Sequence, residues 1–404
     1  MKRTIGVLLV IAALSYPLMA GDWTQFRGPT RDGISTETGL LKQWPAEGPK
    51  MLWSYQALGT GYASLAVVGG KIYTTGLEAK TGFLYCFDNS GKLLWKVPYG
   101  PEWTGSNPGT RTTPTFDAGK LYLMSGNGLL TCRNASDGKE VWSVDTFKKF
   151  GGKNITWGIS ESVLIDGDKV ICTPGGPDAS VVALKKATGQ TLWTTKGLSD
   201  KSAYCCPQII AHGGKRILLT MLEKTVVGID PEAGKVLWKY PHKVSYDINA
   251  VAPAYANGMI YLTNGYNHGG LMLQLSPDGS SVTKKWTEPE LDVHHGGVVL
   301  LGKDIHGAGT DGQWICLDLT SGKIKYRDRL VGKGSVIFAD GLIYGYGENG
   351  TVGLIRPSPT GYKLISSFEI SLGNEEHWAH PVVSNGILYI RHGKALMAYD
   401  IKAK

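Results

Sequence analysis

Four times a glycine is followed four residues later by a tryptophan: Gly91 to Trp95, Gly138 to Trp142, Gly189 to Trp193 and Gly234 to Trp238. Later copies degenerate. Trp286 lacks the aligned glycine, Gly322 leads to Tyr326, and Phe368 stands near the place of the next aromatic. With Trp53 included, successive aromatics lie 40 to 51 residues apart, the length of one four-stranded propeller blade. A repeat of this kind overrides the two or three domains that 404 residues would otherwise suggest.

Each unit repeats one grammar. A Gly-containing turn, such as Asp117-Ala118-Gly119-Lys120 or Asn257-Gly258, leads into an alternating apolar strand such as Met259 to Leu262, as in a β-hairpin. A strand ending in a small residue follows, then Asp or Asn and a second Gly turn, as in Cys316-Leu317-Asp318 before Gly322. The tryptophan on the last strand then has a large apolar face to bury between blades. The 55 glycines, 19 tyrosines and 12 tryptophans suit many short strands on tight turns. The C-terminal unit has only three strands, near Val382, Leu388 and Leu396, whereas Met51 to Tyr55 carries an outer-strand Trp with no strands before it. The fold class expected is therefore all-β: an eight-bladed β-propeller of four-stranded antiparallel blades. Its last blade is completed by the N-terminal segment at about 48–56, which leaves no interior edge open.

Residues 1–20 read as a secretory leader: Lys2 and Arg3, an apolar run from Ile5 to Leu14, then small residues near Ala20. The run is too short to span a bilayer. No cysteine precedes Cys86, so a periplasmic or secreted protein without a lipid-anchor cysteine or transmembrane segment is expected, with 21–404 as one propeller domain. The formal charge of +8 is scattered rather than clustered, which argues against nucleic acid, and a monomer is expected.

The pattern at Cys316 to Lys323, and more loosely at Ala183 to Trp193, resembles the tryptophan-docking repeat of the PQQ-like (quinoprotein-type) propeller family. The opening Asp22-Trp23-Thr24-Gln25-Phe26-Arg27-Gly28-Pro29 is similar to the start of many exported bacterial members. The resemblance covers nearly the whole mature chain. It implies either a quinoprotein dehydrogenase or a noncatalytic relative, such as the propeller lipoprotein of the outer-membrane β-barrel assembly machinery, because one fold serves both. The short repeats leave little room for the long insertions that roof the cofactor in the dehydrogenases, and the lack of an anchor cysteine departs from the assembly lipoprotein.

Aligning the inner strands on their first turn glycine, and using the two-residue alternation of strands, gives two rings of channel positions. One reads Thr113, Glu161, Cys206, Ala252, Gly296, Ser335 and His380; the other reads Arg111, Ile159, Tyr204, Ala250, His294, Lys333 and Trp378, with Asn249, Asp292, His295 and His377 nearby. So polar and aromatic a set suits an anionic or hydroxylated ligand, although a water-filled channel would also be polar. Arg111, Glu161, Tyr204, Asn249, His294, Lys333, Trp378 and His380 are the binding candidates. The resemblance implies that Glu161 and Asn249 would bind calcium beside PQQ, that Asp292 would be the catalytic carboxylate, and that Lys333 would stand near the quinone oxygens.

Cys205-Cys206 invites comparison with the ring disulfide of some quinoprotein dehydrogenases, but is read as reduced. Cys86, Cys132 and Cys316 share one repeat position with Ala183 and Gly228 and read as small buried fillers, not a zinc site. His294 and His295, as strand neighbours, are expected to face opposite ways. The functional expectation is a scaffold that binds a small molecule or a periplasmic protein or glycan at the channel face; the alternative is a PQQ- and calcium-dependent dehydrogenase of alcohols or sugars.

Overall fold

The computed structural model describes residues 21–403, so the expected leader lies outside the described residues. Eight antiparallel sheets follow one another along the chain: blade 1 (66–101), blade 2 (115–145), blade 3 (164–194), blade 4 (208–241), blade 5 (254–288), blade 6 (298–329), blade 7 (334–369) and blade 8 (382–400). Blade 8 takes its outer strand, Met51–Tyr55, from the N-terminal segment, paired antiparallel with Ala395–Asp400. A short strand, Ile34–Ser35, runs parallel to the inner strand of blade 7 and widens that sheet to five. Among the described residues no helix is long and apolar enough to cross a membrane.

The repeat has a mechanical explanation. In every blade a bulge interrupts the register between the third and outer strands. Just beside it the docking aromatic faces a residue that is small in most blades: Cys86 opposite Trp95, Cys132 opposite Trp142, Ala183 opposite Trp193, Gly228 opposite Trp238, Ala398 opposite Trp53. The indole then covers the turn glycine of the next blade. A Cβ on Gly91 would come within 2.4 Å of the Trp53 ring, and one on Gly234 within 2.5 Å of Trp193. Several indoles also donate to the next blade's backbone: Trp53 to Asn89 O at 2.9 Å, Trp142 to Lys186 O at 2.9 Å and Trp286 to Thr320 O at 3.0 Å. Glycine and tryptophan thus belong to one joint between neighbouring blades, and both must be kept.

Blade 7 departs from the expected aromatic. The register places Ser366, not Phe368, beside the bulge, opposite Leu354. The missing indole comes from outside the repeat: Trp44 is buried, its ring 5.4 Å from Phe368 and 5.9 Å from Tyr344, and its backbone N–H donates to Ser366 Oγ at 3.0 Å. Phe368, two residues further on, covers Gly48 instead. The seam between blades 8 and 1 is held by Arg391, fully buried, whose guanidinium donates to the carbonyls of Gly59, Ala63, Thr75 and Gly393.

Truncating a docking indole should therefore cost what a buried aromatic is worth. Trp142→Ala is expected to lose about 3–5 kcal/mol. Gly228→Ala, whose new methyl would meet the Trp238 ring at 2.2 Å, is expected to lose about 1–3 kcal/mol by overpacking. Urea unfolding checks both, and an unchanged midpoint for Trp142→Ala would remove the indole from the joint.

Candidate functional site

The first described residues run through the centre of the ring. Trp23 pairs with Val67 of blade 1, and Thr24 O accepts from Phe116 N of blade 2 at 2.8 Å. The Arg31 guanidinium donates to Ser162 O at 2.9 Å and Val163 O at 2.5 Å, where the chain enters blade 3, and to Pro207 O at 3.0 Å, where it enters blade 4. Arg27 donates to Val298 O of blade 6 at 2.6 Å and Val336 O of blade 7 at 3.2 Å, and its Nη1 lies 3.4 Å from His380 Nδ1 at the entry to blade 8. Both arginines are buried, and burial lowers their pKa, that of Arg27 to about 10, which still leaves Arg27 charged at neutral pH. The fan of five donors on a guanidinium suits this work, since the carbonyls of inner strand edges have no neighbouring strand to pair with.

This plug sets the level of the two rings read from the sequence. The ring with Thr113, Glu161 and Ser335 lies beneath the open channel, with all three residues fully buried. Of that ring, Cys206 and His380 reach the cavity above the plug and Ala252 lines one on its other side. The reason is the plug, which fills the channel at that height and has no counterpart in the repeat. The other ring supplies Arg111, Tyr204, Ala250, His294 and Trp378 to a cavity of about 450 Å³ above the plug. Phe26 forms its floor, 4.8 Å from the His380 ring. The interblade loops add Tyr62, Asn107, Trp157, His295 and Glu376, and a hairpin turn within blade 5 adds Tyr266, residues that strand alternation cannot place. A second cavity, about 690 Å³, opens on the opposite side of Arg27 and Arg31 among the hairpin ends of blades 3 to 6.

The walls of the upper cavity are aromatic and their polar groups are oriented. Tyr62 lies 4.9 Å from Trp378 and Trp157 lies 6.1 Å from Tyr204. Arg111 is held by Gly109 O at 2.9 Å and Asn107 O at 2.5 Å, with its guanidinium 5.5 Å from the Tyr62 ring centre. His380 Nε2 must carry a hydrogen, because it faces His295 O at 3.0 Å, so its Nδ1 accepts from Arg27. Burial first, and then the Arg27 charge, hold this imidazole neutral. Contrary to strand alternation, His294 and His295 both line the cavity, because they stand in the loop before Val298 rather than on a strand.

Glu348 accepts from His295 Nε2 at 2.6 Å and from Lys333 Nζ at 3.0 Å, and Lys333 lies 3.0 Å from His294 Nδ1. Burial would raise the Glu348 carboxyl, but the hydrogen bonds and charges of His295 and Lys333 hold it at about 2. Burial, with His295 and Lys333 beside it, lowers His294 to about 4, so its Nδ1 is free to accept from Lys333. The Lys333 ammonium thus serves as the resident cation of this three-ligand group.

The residues proposed for calcium and proton removal are not brought together. Glu161 spends both oxygens on Thr173, taking its hydroxyl and its N–H. Asn249 donates to Leu222 O and Glu223 O and accepts from Asn264. Asp292 accepts from the N–H groups of His268 and Gly269. None of the three lines the cavity, so these residues do not fit a calcium-held quinone. Cys206 accepts from Ser162 N at 3.2 Å, while Cys205 turns away toward Thr220 and Met221.

An eight-bladed PQQ-type propeller with a one-sided aromatic cavity is thus the class that fold and site define. The family model described as outer membrane protein assembly factor BamB matches residues 80–327, and the chain belongs to that family. It is 24% identical over 255 residues to the assembly factor BamB of Moranella endobia, a match covering 58% of this chain and 60% of that protein. It is 27% identical over 195 residues to the quinoprotein alcohol dehydrogenase PedH of Pseudomonas putida, covering 46% of this chain and only 31% of the dehydrogenase. These curated relatives are thus matched over less than two thirds of their length. In fold, BamB from Moraxella catarrhalis aligns with TM-score 0.62 and 15% identity, covering 87% of this chain and 99% of its own. Quinohemoprotein alcohol dehydrogenase from Comamonas testosteroni aligns with TM-score 0.68 and 13% identity, covering 95% and 81%.

Glu161 supplies a test of the buried layer. Burial raises its carboxyl to about 7 against Thr173 and Arg31, which lower it, while an unfolded Glu titrates at about 4.3. The folded state therefore holds the proton more tightly, and stability present below about pH 4.3 is lost as pH rises through about 7. Glu161→Gln should gain on the wild type across this window and then level off. A wild-type minus variant difference that is flat between pH 4 and 8 would contradict it.

Proposed function

We propose that the chain is a noncatalytic recognition propeller that binds a ligand, or an anchor side chain of a periplasmic partner, in the cavity above the Arg27–Arg31 plug. One observation carries this reading: a cavity with Phe26 of the plug segment in its lining has a wall of Trp, Tyr and Arg, the side chains that dominate binding energy at recognition sites. Membership in a family described by an assembly factor supports it, as does the commitment of Glu161, Asn249 and Asp292 to protein groups rather than to a cofactor.

At the mouth, Tyr246 and Tyr266 extend the surface outward. Tyr246 is 67% exposed, and the two rings meet edge to face at 5.1 Å. Both residues have left-handed backbones, at φ 58° and 66°, a strain that bulky side chains rarely carry without a compensating role.

The test is quantitative. Trp378→Ala and Arg111→Ala should each weaken binding at this face at least tenfold while leaving the melting temperature within about 2 °C, because both side chains line the cavity rather than an interblade joint. Calorimetric titration with PQQ and Ca²⁺, followed by assay with alcohols and sugars, addresses the dehydrogenase alternative. Stoichiometric PQQ uptake followed by reduction of an electron acceptor would replace the recognition reading.

A further inference from the structure

Comparing the blades with one another isolates one that carries different chemistry. In each blade one row crosses the sheet beside the bulge, from the second strand through the third to the outer strand. Blade 1 reads Tyr73, Cys86, Trp95; blade 2 reads Tyr122, Cys132, Trp142; blade 8 reads Tyr389, Ala398, Trp53. The second-strand member is also tyrosine in blades 5 and 7, as Tyr261 and Tyr344. Blade 6 alone reads His306, Cys316, Tyr326. Two residues before His306 on the same strand, and so on the same face, stands Asp304, where blades 1 to 3 have Lys71, Lys120 and Lys169.

These substitutions gather donor atoms. The carboxylate of Asp304, a ring nitrogen of His306 and Sγ of Cys316 lie within 4.8 Å of one another. His306 Nδ1 lies 3.0 Å from the Tyr362 hydroxyl of blade 7, an outer hydrogen bond of the kind that orients a ligating imidazole and leaves its other nitrogen free. The buried hydroxyl of Tyr326, on the residue facing Cys316, lies against the thiol. We propose that Asp304, His306 and Cys316 form a binding site for a zinc-class divalent transition metal, with the Tyr326 hydroxyl or water completing its coordination.

The donor set is the argument for this metal class. One carboxylate oxygen, one imidazole and one thiolate form the mixed O, N, S set that zinc takes in tetrahedral geometry, while calcium and magnesium require oxygen. With Nδ1 engaged by the Tyr362 hydroxyl, the imidazole keeps its other nitrogen for a metal. An ordinary thiol has a pKa of about 8.5. It is therefore protonated before the metal arrives. Coordination replaces the S–H bond with an S–metal bond and releases one proton to solvent, with no change of oxidation state. Lys325 Nζ lies 2.9 Å from both Asp304 oxygens and is the competing cation; its side chain is 32% exposed and free to withdraw into water. The cavity group of His294, His295 and Glu348 differs, since it lacks sulfur and its competing cation is Lys333.

Co²⁺ and Zn²⁺ added to the chelator-treated full chain provide the test. Co²⁺ should give a near-ultraviolet thiolate-to-cobalt band, displaced by one equivalent of Zn²⁺, and the affinity should rise about tenfold per pH unit near neutrality because one proton leaves. His306→Tyr and Cys316→Ala restore residues found at the same places in other blades, so they should fold with wild-type circular dichroism yet lose the band and at least tenfold in affinity. Lys325→Gln should bind several-fold tighter. The proposal is overturned if the wild type shows no thiolate band, if the band survives in His306→Tyr, or if His294→Ala removes the binding. PQQ or partner binding at the cavity is a separate measurement, so neither result decides the other.

Discussion

The central constraint is what a ring of eight inner strands does with its backbone. Each blade pairs its strands internally, but the innermost edge faces the axis, and its carbonyls need donors once water is excluded. Arg27 and Arg31 meet this need with two guanidinium groups, reaching blades 3, 4, 6 and 7 and the entry to blade 8 from a single turn of chain. Charged donors to carbonyls are worth about 1.5–3 kcal/mol each, which offsets part of the cost of burying two unpaired cations. Arg391 does the same at the ring's closure.

Much of the cavity's chemistry follows from that plug. It blocks the channel, so the space above is a cup rather than a pore, and it turns Phe26 upward as the floor. Burial and, after it, the Arg27 charge keep His380 neutral, and Arg31 is one of the groups opposing the burial that raises Glu161. A segment outside the repeats therefore decides which repeat positions are accessible. Deeper residues become framework, and shallower ones become a lining.

The blades were legible in the sequence because their joints are periodic: a glycine that cannot carry a Cβ and an aromatic that covers it recur together, down to Cys86, Cys132 and Ala183 at the position opposite the indole. Closure by Met51–Tyr55 followed from counting strands. What sequence pattern did not reach lies where the chain leaves the period. Trp44 replaces an indole that Ser366 lacks, and nothing local to either residue signals the exchange. The Asp292 and Asn249 side chains were readable as carboxylate and amide but not as loop braces, because their partners, His268, Gly269, Leu222 and Asn264, lie on other turns. The one signal available for the plug was negative: Arg27 and Arg31 sit in a segment with no equivalent in any repeat.

The same logic separates fold from activity across the family. Structures at 13% to 15% identity superpose over most of the chain because the joints tolerate any sequence that keeps a small residue, a turn glycine and an aromatic in register. Function must then come from positions the joints leave free. In this chain those are the interblade loops, which carry Tyr62, Trp157, His295 and Trp378 to one face, together with the blade 5 hairpin turn that carries Tyr266. A blade can also change its row without losing its place in the ring. Blade 6 shows how: His306 reaches Tyr362 of blade 7 across the same interface where Tyr73 of blade 1 reaches Ala135 of blade 2. The histidine preserves the interblade hydrogen bond that the ring requires, and it brings a second nitrogen that tyrosine does not have.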